Sequence, residues 1–112
     1  MEAQRAETEA ETLRSWNSLY TSYQLYRHCD DGAIAEGYDE SVARILVDHW
    51  ETLPRLNQIG SRHLSFRNFV LKHVGGTMDL DDLKKIGMNA TDRCPSGLRS
   101  LCNDLKKGAD AP

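Results

Sequence analysis

Four histidines are the first residues in this 112-residue sequence that could bind a metal ion or transfer a proton. They are His28, His49, His63 and His73. No two of them are three or four positions apart, so no single helix would present a histidine pair to one ion. His49 and His73 fall on apolar helical stripes, where a hydrogen-bonded core histidine is the commoner role. We therefore predict no metal site and no cofactor.

Two short acidic segments resemble metal or catalytic motifs only in part. The stretch from His28 to Asp31 holds three kinds of ligand, but adjacent helical residues point about 100° apart and do not converge on one ion. Asp79, Asp81 and Asp82 lack the glycine and the distal glutamate of a calcium loop, and first-turn carboxylates at a helix N-terminus explain them. The sequence has no nucleophile motif and no glycine-rich phosphate loop. It predicts no catalytic residues and a protein that is not an enzyme.

An acidic stretch around two glycines is the candidate for partner binding. Its candidate contact residues are Asp30, Asp31, Glu36, Tyr38, Asp39 and Glu40. One hypothesis is a protruding loop that enters the basic cleft of a partner protein. The alternative is a solvated turn with helix caps, in which Asp39 is the N-cap and Glu40 lies in the first turn of the next helix.

Three cysteines, Cys29, Cys94 and Cys102, allow two interpretations. One is three reduced thiols in a cytosolic protein, and the other is one structural disulfide in an exported protein with one thiol left over. On a straight helix, Cys94 and Cys102 would lie about 12 Å apart. A disulfide needs Cα atoms within about 7 Å of each other, so a local bridge would require residues 94–97 to fold back along the helix. A bridge from Cys29 to Cys94 or to Cys102 avoids this difficulty, and we expect Cys29–Cys94.

Composition and charge narrow the classes of partner. The formal net charge of −3 gives no support for nucleic-acid binding, and no apolar run approaches the roughly 20 residues that span a bilayer. Residues 1–50 hold four Lys/Arg against ten Asp/Glu, whereas residues 51–112 hold ten against seven. This asymmetry favours a homodimer or a charged protein partner, with mutual neutralisation inside the fold as the alternative.

The elements that would position these residues are helices. Leu13, Trp16, Tyr20 and Tyr23 follow a helical period and predict a first helix over about residues 8–28, with its aromatic face in the core or against a partner. Further stripes predict helices over about 39–53, 54–60, 65–74, 79–90 and 96–107. No segment alternates with the period of a strand. We predict an all-α fold, a compact single-domain bundle of five or six helices at 13–107, with a frayed extension at 1–12 and a tail at 108–112.

Several motifs carry a resemblance to known proteins. They are Tyr26-Arg27-His28-Cys29-Asp30-Asp31-Gly32, Asp39 to Arg44, Asp48-His49-Trp50, and Arg93-Cys94-Pro95 continuing to Leu101-Cys102. Through them the chain resembles small exported all-helical proteins of Gram-negative bacteria over residues 13–107. In size, helical content and cysteine use it is also similar to the immunity proteins of type VI secretion amidases. Those are small periplasmic proteins, often dimeric, that insert a loop into the active-site cleft of the toxin.

The resemblance implies a small periplasmic protein without catalysis, which binds or inhibits a protein partner such as a secreted amidase or another cell-wall toxin. It also favours the interpretation with one disulfide. No signal peptide is visible, which fits a mature exported form or a cytosolic protein. The alternative is a cytoplasmic helical interaction or regulatory module with three reduced thiols. No inhibitory loop of the immunity proteins is matched, so no site residue carries over from them.

Overall fold

The computed structural model describes residues 10–26, 28 and 32–110 of the chain. This part contains six α-helices and one 3-10 turn, and it contains no strand. The helices are α1 (Trp16–Tyr26), α2 (Gly32–Asp48), α3 (Leu53–Arg62), α4 (Leu64–Lys72), α5 (Leu80–Asp92) and α6 (Arg99–Asp110), and the 3-10 turn is Trp50–Thr52. The predicted all-α bundle is confirmed. None of the described helices is both long and apolar enough to cross a membrane.

Helix α1 begins at Trp16, later than predicted, because Ser15 provides its N-cap. The Ser15 hydroxyl oxygen accepts a hydrogen bond from the Ser18 N–H at 3.1 Å, which satisfies a donor of the first turn. Most of the aromatic face of α1 packs into the core, which is one of the two alternatives that the sequence left open. Tyr23 is buried, and its ring centroid lies 4.7 Å from that of Phe69 on α4.

Helix α2 is the longest described helix and begins at Gly32, within the acidic stretch for which the sequence predicts a loop or a turn. Its core face repeats at helical spacing and consists of Ile34, Tyr38, Val42, Ile45 and Leu46. The chain near Ala10 crosses α2 closely at Gly37, and this position has no room for a side chain. A Cβ added to Gly37 would lie 2.9 Å from the Cβ of Ala10. The structure therefore has a helix, crossed closely by the chain near Ala10, where the sequence predicts a loop or a turn.

The remaining helices pack as two hairpins, α3 with α4 and α5 with α6, and α2 packs against α5. The predicted boundary near Pro54 is confirmed, because this residue lies in the first turn of α3, where its missing N–H costs nothing. Of the two N-caps that the sequence allows for α5, Thr77 and Asp79, the structure uses Asp79, which accepts from the Asp81 N–H at 3.1 Å. The short turns between these helices keep each hairpin local in sequence.

Two hydrogen bonds fasten α5 to the region where α2 ends. The Asn89 side-chain amide donates to the carbonyl of Leu46 at 3.2 Å. The Trp50 indole N–H donates to the carbonyl of Arg93 at 2.8 Å. These bonds satisfy backbone carbonyls that helix ends leave without an intrahelical partner.

The disulfide joins Cys94 to Cys102, whose Cα atoms are 6.1 Å apart. The expected Cys29–Cys94 bridge is therefore wrong, and Cys29 itself lies outside the described residues. The straight-helix distance does not apply, because α6 begins only at Arg99. The chain reverses through Gly97, whose φ of +84° is a conformation that glycine adopts without strain.

The ends of the domain also differ from the prediction. Helix α6 continues to Asp110 and buries Ala109, so most of the predicted tail at 108–112 belongs to the bundle. At the other end, Ala10 is buried and its carbonyl accepts from the hydroxyl of Ser41. The same hydroxyl oxygen accepts from the Leu13 N–H at 3.1 Å. Residues 1–9 of the predicted extension lie outside the described residues.

Candidate binding groove

An open groove of about 840 Å³ lies between α1 and α3. Helix α1 contributes Asn17, Tyr20, Thr21 and Gln24 to its walls. Helix α3 and the residue after it contribute Arg55, Gln58, Ile59, Ser61, Arg62 and His63. All of these side chains except that of Ile59 carry a hydrogen-bonding group. The groove is therefore equipped for polar recognition.

Arg55 is held in this groove by two neutral amide oxygens. Its Nε donates to Asn17 Oδ1 at 2.8 Å, and its Nη1 donates to Gln58 Oε1 at 3.1 Å. Because an arginine has only donors, both amides turn their oxygens toward it and leave their NH₂ groups to donate elsewhere. The bond to Asn17 also joins α1 to α3 across the floor of the groove.

The other part of the groove is formed by Tyr20, Gln24, Arg62 and His63. The Gln24 side-chain amide donates to the Tyr20 hydroxyl at 3.1 Å, which leaves the phenol proton for another acceptor. The Tyr20 ring lies against the His63 imidazole, with centroids 5.1 Å apart. Arg62 makes no hydrogen bond or ion pair with any residue that the structure describes.

The groove carries positive charge that no carboxylate balances. Arg55 and Arg62 line it, and none of the described residues in its walls is acidic. Two arginines outside the groove, Arg44 and Arg67, are paired with acids, and the Nη2 of Arg67 lies 2.7 Å from Asp104 Oδ2. Because neutral acceptors do not compensate its charge, an arginine held by them can still form an ion pair with an anion.

Arg44 on α2 shows the contrasting environment. Its Nη1 lies 3.3 Å from Asp48 Oδ2, its Nη2 pairs with Asp82, and its Nε makes a charge contact with Glu40 at 3.1 Å that is not a directed hydrogen bond. The hydrogen bond to Asp82, helped by the nearby carboxylate charges, raises the pKa of the Arg44 guanidinium despite partial burial. Three carboxylates therefore already surround the Arg44 guanidinium.

The acidic segment predicted to bind a partner is only partly at the surface. Tyr38 and Asp39 are 0% and 7% exposed, so the prediction that they contact a partner is wrong. They face the core because α2 runs through this segment as a continuous helix. Glu36 and Glu40 are exposed, and their contact with a partner stays a prediction. The members of the predicted site that lie outside the described residues are Asp30 and Asp31.

Asp39 forms a buried hydrogen-bonded centre with His73 and Thr77, and its predicted role as an N-cap is wrong. Its Oδ1 lies 2.5 Å from His73 Nδ1, and its Oδ2 accepts from the Thr77 N–H at 3.0 Å and hydroxyl at 2.8 Å. His73 is 2% exposed, which confirms the predicted core role of this histidine. The cluster ties the turn after α4 to the middle of α2, and its place in the core indicates a structural role.

Sequence reasoning missed the groove, although a signal for it existed. The α1 face holds Asn17, Thr21 and Gln24, and the α3 face holds Arg55, Gln58 and Arg62. Each set repeats at helical spacing and marks one polar face, which is typical of a solvated helix surface. The packing of the two helices decides that these faces lie side by side.

Comparisons with protein families, with curated proteins and with solved structures give no match to this chain. Among the described residues, no group of three histidine, cysteine or acidic side chains is arranged to hold a metal ion. What the protein does must therefore be argued from the groove, the charges and the disulfide.

Proposed function

We propose that the protein is a small periplasmic binding protein that performs no chemistry of its own and acts by holding a partner protein on its surface. The observation that carries this proposal is the groove between α1 and α3, in which Asn17 and Gln58 fix Arg55 before any ligand arrives. Side chains that are already oriented lose less entropy on binding than mobile ones. A groove of this kind is suited to recognition.

The hydroxyl and imidazole groups of the groove support binding over catalysis. Ser61 lies two positions before His63 in sequence, but its hydroxyl donates to the Gln58 carbonyl at 3.0 Å. The imidazole of His63 packs against Tyr20. An activated nucleophile needs a hydrogen bond to its base. In the described structure, the hydroxyl of Ser61 and the imidazole of His63 contact other residues and not each other.

The Cys94–Cys102 disulfide supports the periplasm as the compartment, because structural disulfides persist where thiols are oxidised. The alternative is a cytoplasmic interaction module in which all three thiols are reduced. Intact mass after alkylation of protein never exposed to reductant separates the two. We expect one alkylated thiol, that of Cys29, and three alkylated thiols would overturn the periplasmic assignment.

The resemblance to amidase immunity proteins supports an exported cell-wall hydrolase as the partner. The test is a complex between the immobilised full chain and one protein of a periplasmic extract from the encoding bacterium. The complex should be stoichiometric on size-exclusion chromatography, and adding the chain should lower the partner's hydrolysis of peptidoglycan. A complex that leaves hydrolysis unchanged would overturn inhibition, and the absence of any stoichiometric complex would overturn the binding function.

Two pairs of substitutions locate the surface that the partner uses. Arg55→Gln with Arg62→Gln removes the charge of the groove, and Glu36→Lys with Glu40→Lys reverses the exposed charge of α2. Lys84→Gln on the exposed face of α5 is the control. We expect the groove pair to weaken the complex and the control to leave it unchanged. An effect of the α2 pair alone would assign binding to the acidic surface instead.

A further inference from the structure

We propose that the groove between α1 and α3 binds an extended, acidic peptide segment of the partner. Arg55 and Arg62 engage its carboxylates, and the amides beside Arg55 donate to its backbone carbonyls. This inference rests on the proposed binding function and adds the chemistry that the groove recognises.

The hydrogen-bonding capacity that remains in the groove consists mainly of donors. Arg55 has one terminal nitrogen that donates to no described residue, and the amides of Asn17 and Gln58 present their NH₂ groups once their oxygens are taken. The Tyr20 hydroxyl, which already accepts from Gln24, keeps its proton to donate. A carboxylate at neutral pH only accepts, so it satisfies these donors without leaving a polar group unpaired.

The charge of the groove points to the same ligand. Arg55 is oriented by neutral groups, and Arg62 pairs with no described residue. No ion pair with a described acid therefore compensates the charge of either guanidinium. Forked arginine–carboxylate pairs are among the stronger charged hydrogen bonds. The chain as a whole has a net charge of −3, so this basic surface is a local feature that directs an acidic ligand to one place.

The size and openness of the groove favour a peptide over a small anion. Its volume of about 840 Å³ is near the upper end of ligand sites, far larger than one phosphate needs. The two arginines are seven positions apart on α3, about 10 Å along the helix axis. Two carboxylates on one extended chain can reach both guanidinium groups, because alternate side chains of such a chain lie about 7 Å apart.

The experiment is a titration of the ¹⁵N-labelled full chain, followed by amide chemical shifts. The probe is a capped peptide of alternating glutamate and glycine, and its matched control replaces every glutamate with glutamine. We expect the glutamate peptide to shift amides of residues 17–24 and 55–63 and the glutamine peptide to bind at least about tenfold more weakly. Equal binding of the two peptides would overturn recognition of carboxylates.

Protein variants test the named side chains in the same titration. Arg55→Gln should weaken binding of the glutamate peptide about tenfold, and Arg55→Lys should also weaken it, because one ammonium nitrogen cannot bond both amide oxygens and a carboxylate as the three guanidinium nitrogens do. Arg99→Gln, at an exposed position of α6 outside the groove, makes the same charge change and should have no effect on peptide binding. An unchanged affinity of both Arg55 variants, with spectra of folded protein, would overturn the role of this residue.

Two further probes separate other ligands from an acidic peptide. Inorganic phosphate that shifts the same amides with equal affinity would overturn the peptide proposal in favour of a general anion site. The probe could also be a peptide of alternating lysine and glycine. If this peptide shifts the amide signals of Glu36 and Glu40 and the glutamate peptide shifts none, the groove is not the binding site, although a binding function remains. The complex with the periplasmic partner tests that function separately, so the two failures are distinguishable.

Discussion

The Asp39 carboxylate lies 2.5 Å from the Nδ1 atom of His73 and joins the middle of α2 to the residue that follows α4. Its second oxygen holds the backbone and the hydroxyl of Thr77 in the same turn. Asp39 is 34 positions from His73 and 38 positions from Thr77 in sequence. One carboxylate therefore fixes a whole turn against the longest helix.

Replacement of Asp39 should destabilise the fold strongly. Asp39→Ala removes the acceptor for the buried His73 and for Thr77 at the surface, and we expect the free energy of unfolding to fall by about 3 kcal/mol. Urea denaturation measures this change. Glu36→Ala, at an exposed position on the same helix, is the control and should change stability by less than about 0.5 kcal/mol. Equal effects of the two variants would contradict the role of the cluster.

Gly76 is required twice, by its backbone and by its closeness to Asp39. Its φ is +55°, and an added Cβ would lie 2.8 Å from Asp39 Oδ2. Gly32 has nearly the same φ, +53°, with nothing within 4 Å of an added Cβ, so Gly32→Ala measures backbone strain alone. We expect a loss of about 1 kcal/mol for Gly32→Ala and at least about 2 kcal/mol for Gly76→Ala in urea denaturation. Equal losses would mean that Asp39 moves aside freely.

Arg44 should stabilise the contact of α2 with α5 through its acidic neighbours. Arg44→Gln leaves Glu40, Asp48 and Asp82 without their shared cation, and we expect a loss of about 2 kcal/mol, partly restored by salt. The raised pKa of Arg44 means that its contribution is complete below the ordinary arginine pKa and is lost only at higher pH. Denaturation at about pH 6 and about pH 9 should therefore give the same loss. A salt-independent effect would contradict the electrostatic explanation.

The disulfide can be identified directly by peptide mapping. Trypsin cuts after Arg93, Arg99 and Lys106, so the Cys94–Cys102 bridge should link the peptides 94–99 and 100–106. Removing the bridge with Cys94→Ala and Cys102→Ala should lower the free energy of unfolding by about 2.5 kcal/mol, as expected for a short closed loop. Cys29→Ser is the control. A linked peptide that contains residues 28–44 would contradict the observed pairing.

Much of the fold could be predicted because its helices follow one apolar stripe each. Leu101 and Leu105 of the last helix, and Leu98 just before it, are buried as their spacing predicts. The Asp79 cap was predictable because the N-terminal N–H groups of a helix need a nearby acceptor. These features depend on residues within a few positions of one another.

The errors concern residues whose role depends on distant parts of the chain. Asp39 resembles an N-cap in sequence, but His73 and Thr77 satisfy its carboxylate inside a helix. The disulfide depends on how sharply the chain turns at Gly97, which spacing alone does not determine. The groove depends on the arrangement of two helices, so its residues looked like ordinary solvated faces.

The hydrogen bond from Trp50 to the Arg93 carbonyl places an indole beside the residue that precedes Cys94. Indole fluorescence depends on burial and on the hydrogen bond that the ring makes, and a disulfide nearby quenches it. Reduction of the bridge and loosening of the turn should therefore change Trp50 emission together. We therefore expect the emission of the unlabelled chain, to which Trp16 also contributes, to follow the redox state of the bridge.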